Sequence, residues 1–230
     1  MQDRQEKVQS ILNRRSRNNA VVLPGFCVDA FTRHASVAIA SALPGLNGEG
    51  PVLKGGALLA SFMRESFPDH FGHVHPADYD FTASVSNIIP FSNRGLDGVI
   101  ESLAKTGFVP ETSPEKLNGR GPLEQLSYQN RLVITLKLSF ESSLVDLVLI
   151  DRPPYDAAQI AAEGDTSISS VAMSSDGTVY ADPNFVQDAK SGTYRILAGD
   201  EADIRYTAGA RYERINKRYP SHFRTVMHSI

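Results

Sequence analysis

The residues best suited to chemistry are Asp78 and Asp80 in the stretch Asp78-Tyr79-Asp80-Phe81, some twenty positions after the glycine pair of Val52-Leu53-Lys54-Gly55-Gly56-Ala57-Leu58-Leu59. Side chains alternate along an extended chain, so Asp78 and Asp80 point to one face of a strand while Tyr79 and Phe81 point to the other. Two carboxylates about 7 Å apart along a strand can converge on one divalent cation. The glycine pair follows a short apolar strand and precedes Leu58, Leu59, Phe62 and Met63 at helical spacing. Glycines at a helix N-terminus let a phosphate approach bare backbone N–H groups. Together these pieces imply metal-assisted phosphoryl or nucleotidyl transfer.

A third carboxylate lies far along the chain. Leu132 to Phe140 and Leu144 to Ile150 read as a strand pair around the turn Glu141-Ser142-Ser143, and Asp146 interrupts the second, otherwise apolar strand. A carboxylate in such a setting is costly without a cation or donors, which a metal shared with Asp78 and Asp80 would provide. Asp151, at the end of that strand, is the competing third ligand. The alternative for Asp78 and Asp80 is an exposed strand face, and for Asp146 a buried, hydrogen-bonded acid. His70, His73 and His75 offer a weaker metal motif in a loop, and Cys27 reads as core on an apolar helix face.

The elements that must position these groups follow from periodicity and breakers. A basic helix is expected over 2–18, a second over 27–42, strand 52–54, a helix from Ala57 to about Glu65 ended by Pro68, and strand 78–84. A helix near 96–106 is closed by Gly107, and 110–124 reads as a surface loop. After the strand pair come a short helix at 155–162, a turn at Asp176-Gly177, a strand near 192–197 and a helix from about Glu201 to Tyr219. The expectation is an α+β fold: a small mixed or antiparallel sheet with packed helices and helical N- and C-terminal segments. The division is a basic N-terminal helix (1–20), a central domain (21–200) and a basic helical segment (201–230) packed on it.

Composition sets the remaining bounds. The 230 residues are 41% hydrophobic and 21% charged, with a net charge of −3 and one cysteine. That excludes an internal disulfide and a multi-cysteine zinc site and fits a reducing, cytoplasmic setting. No apolar run approaches membrane-spanning length. Five Lys/Arg stand against two Asp/Glu in residues 1–20, and six against one in 205–230, so basic ends flank an acidic centre. Such ends suit a polyanionic partner, though each alone also fits a solvated helix face.

In the order Gly55-Gly56, Asp78-x-Asp80, strand Asp146, the chain resembles the nucleotidyltransferase superfamily typified by DNA polymerase beta. It is most similar to the head domain of bacterial poly(A) polymerases and CCA-adding enzymes. Arg64 on the helix after the glycines matches that family's arginine, and Gly164-Asp165-Thr166-Ser167-Ile168-Ser169-Ser170 resembles its Arg-Asp-Phe-Thr-Ile-Asn-Ala segment. Val171 through Asp176-Gly177, Asp182-Pro183, Asp188 and Gly192-Thr193-Tyr194-Arg195 follow the family's next run, and Arg205, Arg211 and Arg214 resemble its closing helix. The base-selecting Glu-Asp-x-x-Arg falls on Thr207-Ala208-Gly209-Ala210-Arg211, where only the arginine is kept, and Gly164 replaces an arginine. Lys54-Gly55-Gly56 instead resembles the Lys-Gly-Gly of abortive-infection type nucleotidyltransferase toxins.

The resemblance implies transfer of a nucleoside monophosphate from an NTP such as ATP to a hydroxyl, foremost of RNA at a tRNA 3′ end. It implies Asp78, Asp80 and Asp146 as ligands of two Mg²⁺ ions, which Mn²⁺ can replace. It also implies Lys54, Gly55, Gly56, Arg64, Asp165, Arg195 and Arg211 as nucleotide or phosphate contacts. Transfer to a small molecule or protein, and a degenerate nucleotide-binding domain without turnover, are the alternatives.

Overall fold

A computed structural model describes residues 19–26, 28–43, 46, 50–85, 95–112, 123–128, 131–151, 156–197 and 201–227. The expected 2–18 helix and Cys27 lie outside them. Among the described residues nine strands form the main sheet, in the order β1-β9-β8-β2-β3-β7-β6-β4, with β5 also paired to β6. They are β1 (Val21–Val22), β2 (Val52–Lys54), β3 (Tyr79–Ser84), β4 (Val109–Pro110), β5 (Leu123–Tyr128), β6 (Arg131–Phe140), β7 (Ser143–Ile150), β8 (Val171–Met173) and β9 (Val179–Ala181). Among the described residues of this sheet only β3 and β7 pair in parallel; its other ladders are antiparallel. The fold is thus α+β with a mostly antiparallel sheet.

Alternation sorts the two faces. Leu53, Phe81, Ile134, Leu136, Val145, Leu147 and Met173 turn to one face and are buried there. They pack under α1 (Ala30–Ala42), α2 (Gly56–Ser66) and α4 (Gly95–Lys105). Each helix presents an apolar stripe: Ala35, Ala38, Ile39 and Ala42 on α1, Leu58, Leu59, Phe62 and Met63 on α2, Val99 and Leu103 on α4. Asp29 caps α1, its carboxylate accepting from the Thr32 N–H at 2.8 Å, which starts that helix three residues later than the apolar pattern implied. The four-residue α3 (Pro68–Phe71) follows α2 with proline in its first turn.

The opposite face is only partly covered. Val52, Val133, Ile150 and Ala172 form a second cluster with Ala157, Ile160 and Ala161 of α5 (Ala157–Ala162). That helix carries a capping box, Asp156 with Gln159. Beyond α5 the same face is lined by polar side chains. Four further elements follow among the described residues: α6 (Phe185–Ser191), then β10 (Thr193–Ile196) and β11 (Arg224–Met227), which pair in parallel either side of α7 (Glu201–Arg218).

Among the segments that differ from expectation are these two. The 110–124 stretch runs into β5, whose polar sequence Leu-Glu-Gln-Leu-Ser-Tyr hides a strand stabilised by pairing with β6. Val21-Val22, between the expected helices 2–18 and 27–42, is an edge strand on β9 with both side chains exposed.

Candidate metal and nucleotide site

Beside α5, the same face carries a row of charges set by register. Lys54 on β2 pairs with Asp80 on β3, Asp80 with Asp146 on β7, and Asp146 with Lys137 on β6. Four neighbouring strands therefore present Lys, Asp, Asp, Lys side by side, each partly buried. Asp78 stands just before β3, two residues from Asp80. One carboxylate oxygen from each of Asp78, Asp80 and Asp146 lies within 4.8 Å of the others, and among the described residues no other group of three or more potential ligands does so. Hard oxygen donors at this spacing fit a hard divalent cation. Asp151 is not in the group: it lies five positions past Asp146, about 17 Å along a strand. His70, His73 and His75 form no such cluster.

Burial, and after it the neighbouring acids, raises the carboxyls of Asp80 and Asp78. Burial pushes the Asp80 carboxyl up to about 6; the Asp78 charge adds to this, Lys54 pulls it back, Asp146 raises it and Lys137 lowers it. Asp78 is also raised, by burial and then by Asp146, and held down by Lys137, Arg218 and Arg214. A cation placed among them would relieve this strain.

Lys137 is the group the sequence did not reveal. Its Nζ donates to both oxygens of Asp146, at 2.8 and 2.7 Å, with the two side chains 14% and 17% exposed. The β6–β7 turn contains two residues, Glu141 and Ser142, both at positive φ (46° and 70°), so Phe140 pairs with Ser143 and Lys137 with Asp146. A three-residue turn would shift the register by one and place an apolar residue opposite Asp146.

The glycine pair divides into two roles. Gly55 adopts φ 70°, ψ −122° and donates its N–H to the Val171 carbonyl at 2.9 Å, so it is a turn residue whose amide is already engaged. It supplies no side-chain cap to α2, which leaves the first-turn amides, beginning at Gly56, directed outward without one. Arg218, on α7, brings its Nη1 to 3.7 Å from the point where a Cβ on Gly56 would stand. Arg214, one turn earlier on α7, also acts on Asp78. Arg211, Arg214 and Arg218 follow helical spacing, the signal that could have extended the expected arginine set to 218.

The remaining expected contact residues have protein partners. Arg64 is eight residues into α2, about 12 Å from its start, where it meets Asp29 at 3.6 Å, Ser61 at 3.4 Å and His75 at 3.4 Å. Asp165 and Arg211 bond to each other, and Ser169 joins them, donating to Asp165 at 3.2 Å and accepting from Arg211 at 3.1 Å. Arg195 makes a two-pronged bond to Asp188, at 2.8 and 3.0 Å, and Ser167 donates to the same carboxylate at 2.6 Å. The side chain of Arg205 lies outside the described set. Among the described residues no helix is long and apolar enough to cross a membrane.

No protein-family model and no curated protein matches the chain. Among solved structures it is similar to the Bacillus stearothermophilus CCA-adding enzyme in complex with CTP, at 12% identity and a TM-score of 0.46 over 86% of this chain and 42% of that one. It is similar also to a tRNA-processing enzyme in its apo form I, at 15% identity and a TM-score of 0.44 over 85% and 43%. A CCA-adding enzyme with ATP follows at 14% identity and a TM-score of 0.40, over 76% of this chain and 35% of that one. The chain spans less than half the length of each, and the likeness is one of chain path.

Proposed function

We propose that this chain is a divalent-metal-dependent nucleotidyltransferase that moves a nucleoside monophosphate from an NTP to a hydroxyl, foremost of an RNA such as a tRNA 3′ end. The observation that carries the reading is the register placing Asp80 beside Asp146, with Asp78 completing a three-carboxylate group. The residues that would hold the metal are Asp78, Asp80 and Asp146. A divalent ion bound there, Mg²⁺ or Mn²⁺, would supply charge neutralisation for the triphosphate and a lowered pKa for the attacking hydroxyl.

The chain's own residues would do the rest. The α2 first-turn amides from Gly56 onward, with Lys54, Arg218 and Arg214, receive the triphosphate. The acceptor oxygen forms a bond to the α-phosphorus, the bond to the bridging oxygen breaks, pyrophosphate leaves and the hydroxyl proton passes to solvent. Residues 21–200 would form the catalytic domain, with the basic 201–230 segment packed on it. Asp165 with Arg211, and Arg195 with Asp188, would act through their pairing rather than by direct contact with the nucleotide.

A nucleotide-binding domain without turnover is the competing reading, favoured by the Lys137 ammonium on both oxygens of Asp146. Incubation with Mg²⁺ and each α-labelled NTP, with and without total tRNA, separates the readings. Label in RNA supports the first, label in protein or small molecules changes the acceptor, and no label leaves only binding. Asp80→Asn should abolish labelling while His73→Ala retains it; labelling by the Asp80 variant would sink the site.

A further inference from the structure

We propose that Lys137 acts as a built-in cation of the carboxylate group, so that the free chain takes one divalent ion, held by Asp78 and Asp80, while Asp146 stays with the lysine. The inference rests on the metal site proposed above and narrows it, removing Asp146 from the ligands in the free chain and taking one ion where the resemblance implies two.

The geometry is specific. The ammonium is bonded to both oxygens of Asp146, the arrangement that leaves fewest lone pairs for a metal. Both side chains are largely buried, and Lys137 lies directly across the ladder from its partner, so the pair is fixed by backbone register rather than by a flexible surface side chain. Breaking such a pair strands a charge away from water. A second divalent ion at Asp146 would have to displace the lysine or sit beside it.

Charge arithmetic points the same way. Three carboxylates face the ammoniums of Lys54 and Lys137, and the guanidiniums of Arg214 and Arg218 also act on Asp78, so one divalent ion already leaves the group net positive. Two such ions beside Lys54 and Lys137 would leave a cluster carrying several uncompensated positive charges before any nucleotide arrives. One ion on two carboxylates is a sufficient protein contribution, because Mg²⁺ keeps several waters and is commonly held by one or two carboxylates plus phosphates.

The test counts ions and needs no turnover. Chelator-stripped protein is titrated with Mn²⁺ without nucleotide, and free Mn²⁺ is read by electron paramagnetic resonance. The expected result is one ion per chain for the wild type and for Lys137→Arg, and two for Lys137→Met, with thermal melts run alongside. Two ions in the wild type overturn the inference whether or not the variant folds, and one ion in a folded Lys137→Met overturns it as well. No ion in the wild type sinks the metal reading itself, a result distinguishable from either.

Discussion

Asp80 and Asp146 lie directly across the parallel β3–β7 ladder from each other, although 66 positions separate them in the chain. Parallel neighbours need a long crossover, and here that crossover includes α4 and the β6 strand that delivers Lys137 to the far side of Asp146. One topological device thus places two acids and their counterion in a row. The acids repel, and the fold holds them together because the face beneath carries Phe81 and Leu147 in the core.

The first expected consequence is a pH dependence of the metal-free protein. The Asp80 carboxyl is raised from 3.8 to about 6, chiefly by burial. A raised acid binds its proton more tightly folded than unfolded, so its contribution is fully favourable below about pH 4 and is lost as pH rises through about 6. The displacement corresponds to at most about 3 kcal/mol. In a chelator, wild-type stability should therefore carry a downward component between pH 4 and 7 that Asp80→Asn lacks. Chemical denaturation across that range decides it, and identical slopes for the two proteins would refute the assignment.

Gly55 and Gly56 should respond differently to alanine. At φ 70°, ψ −122° Gly55 occupies backbone space that L residues avoid, so Gly55→Ala should cost on the order of 1–3 kcal/mol although no atom lies within 4 Å of the added methyl. Gly56 has ordinary helical geometry and only the Arg218 guanidinium at 3.7 Å. Gly56→Ala should change stability by less than about 1 kcal/mol, since alanine is the better helix former, and should act instead on NTP affinity. Urea midpoints and nucleotide titrations of the two variants would separate turn from contact.

Arg195 tests whether a motif arginine is structural. Its partner Asp188 is 2% exposed and also accepts from Ser167. Arg195→Ala would leave that carboxylate buried with its main countercharge removed, an effect of about 3–5 kcal/mol. Arg214, exposed on α7, should tolerate alanine within about 0.5 kcal/mol and lose triphosphate affinity instead. Equal melting temperatures for Arg195→Ala and the wild type would show that the pair does not hold the fold.

How far the sequence disclosed this site depends on which signals were local. The alternation of Asp78 and Asp80 against Tyr79 and Phe81, and the polar interruption at Asp146, were visible because strand periodicity is a short-range property. The Lys137 partnership was not, because it hangs on a turn of two rather than three residues, and one residue of slip exchanges the faces. Strand β5 was hidden for a related reason: its residues have little strand propensity and are held by β6. Arg64, matched by position after the glycines, proved to lie at the far end of its helix, since eight residues of α-helix carry a side chain about 12 Å away. Arg218 was reached only through tertiary packing of α7 against the start of α2.

The hydroxyl of Thr82 offers a last test of how this face is built. Thr82 is 1% exposed, follows Asp80 by two residues on the same face, and sits between Val52 and Val148 in the ladder. Its Oγ1 has no hydrogen-bond partner among the described residues. A buried hydroxyl without a partner carries a desolvation cost of about 1–3 kcal/mol, and an apolar group of the same shape removes it. Thr82→Val should therefore be neutral or stabilising by up to about 2 kcal/mol, measured by urea denaturation in chelator. A loss of more than about 1 kcal/mol would show that the hydroxyl is hydrogen-bonded in solution, placing a water or a polar contact directly behind Asp80 and making the carboxylate row wetter than its packing implies.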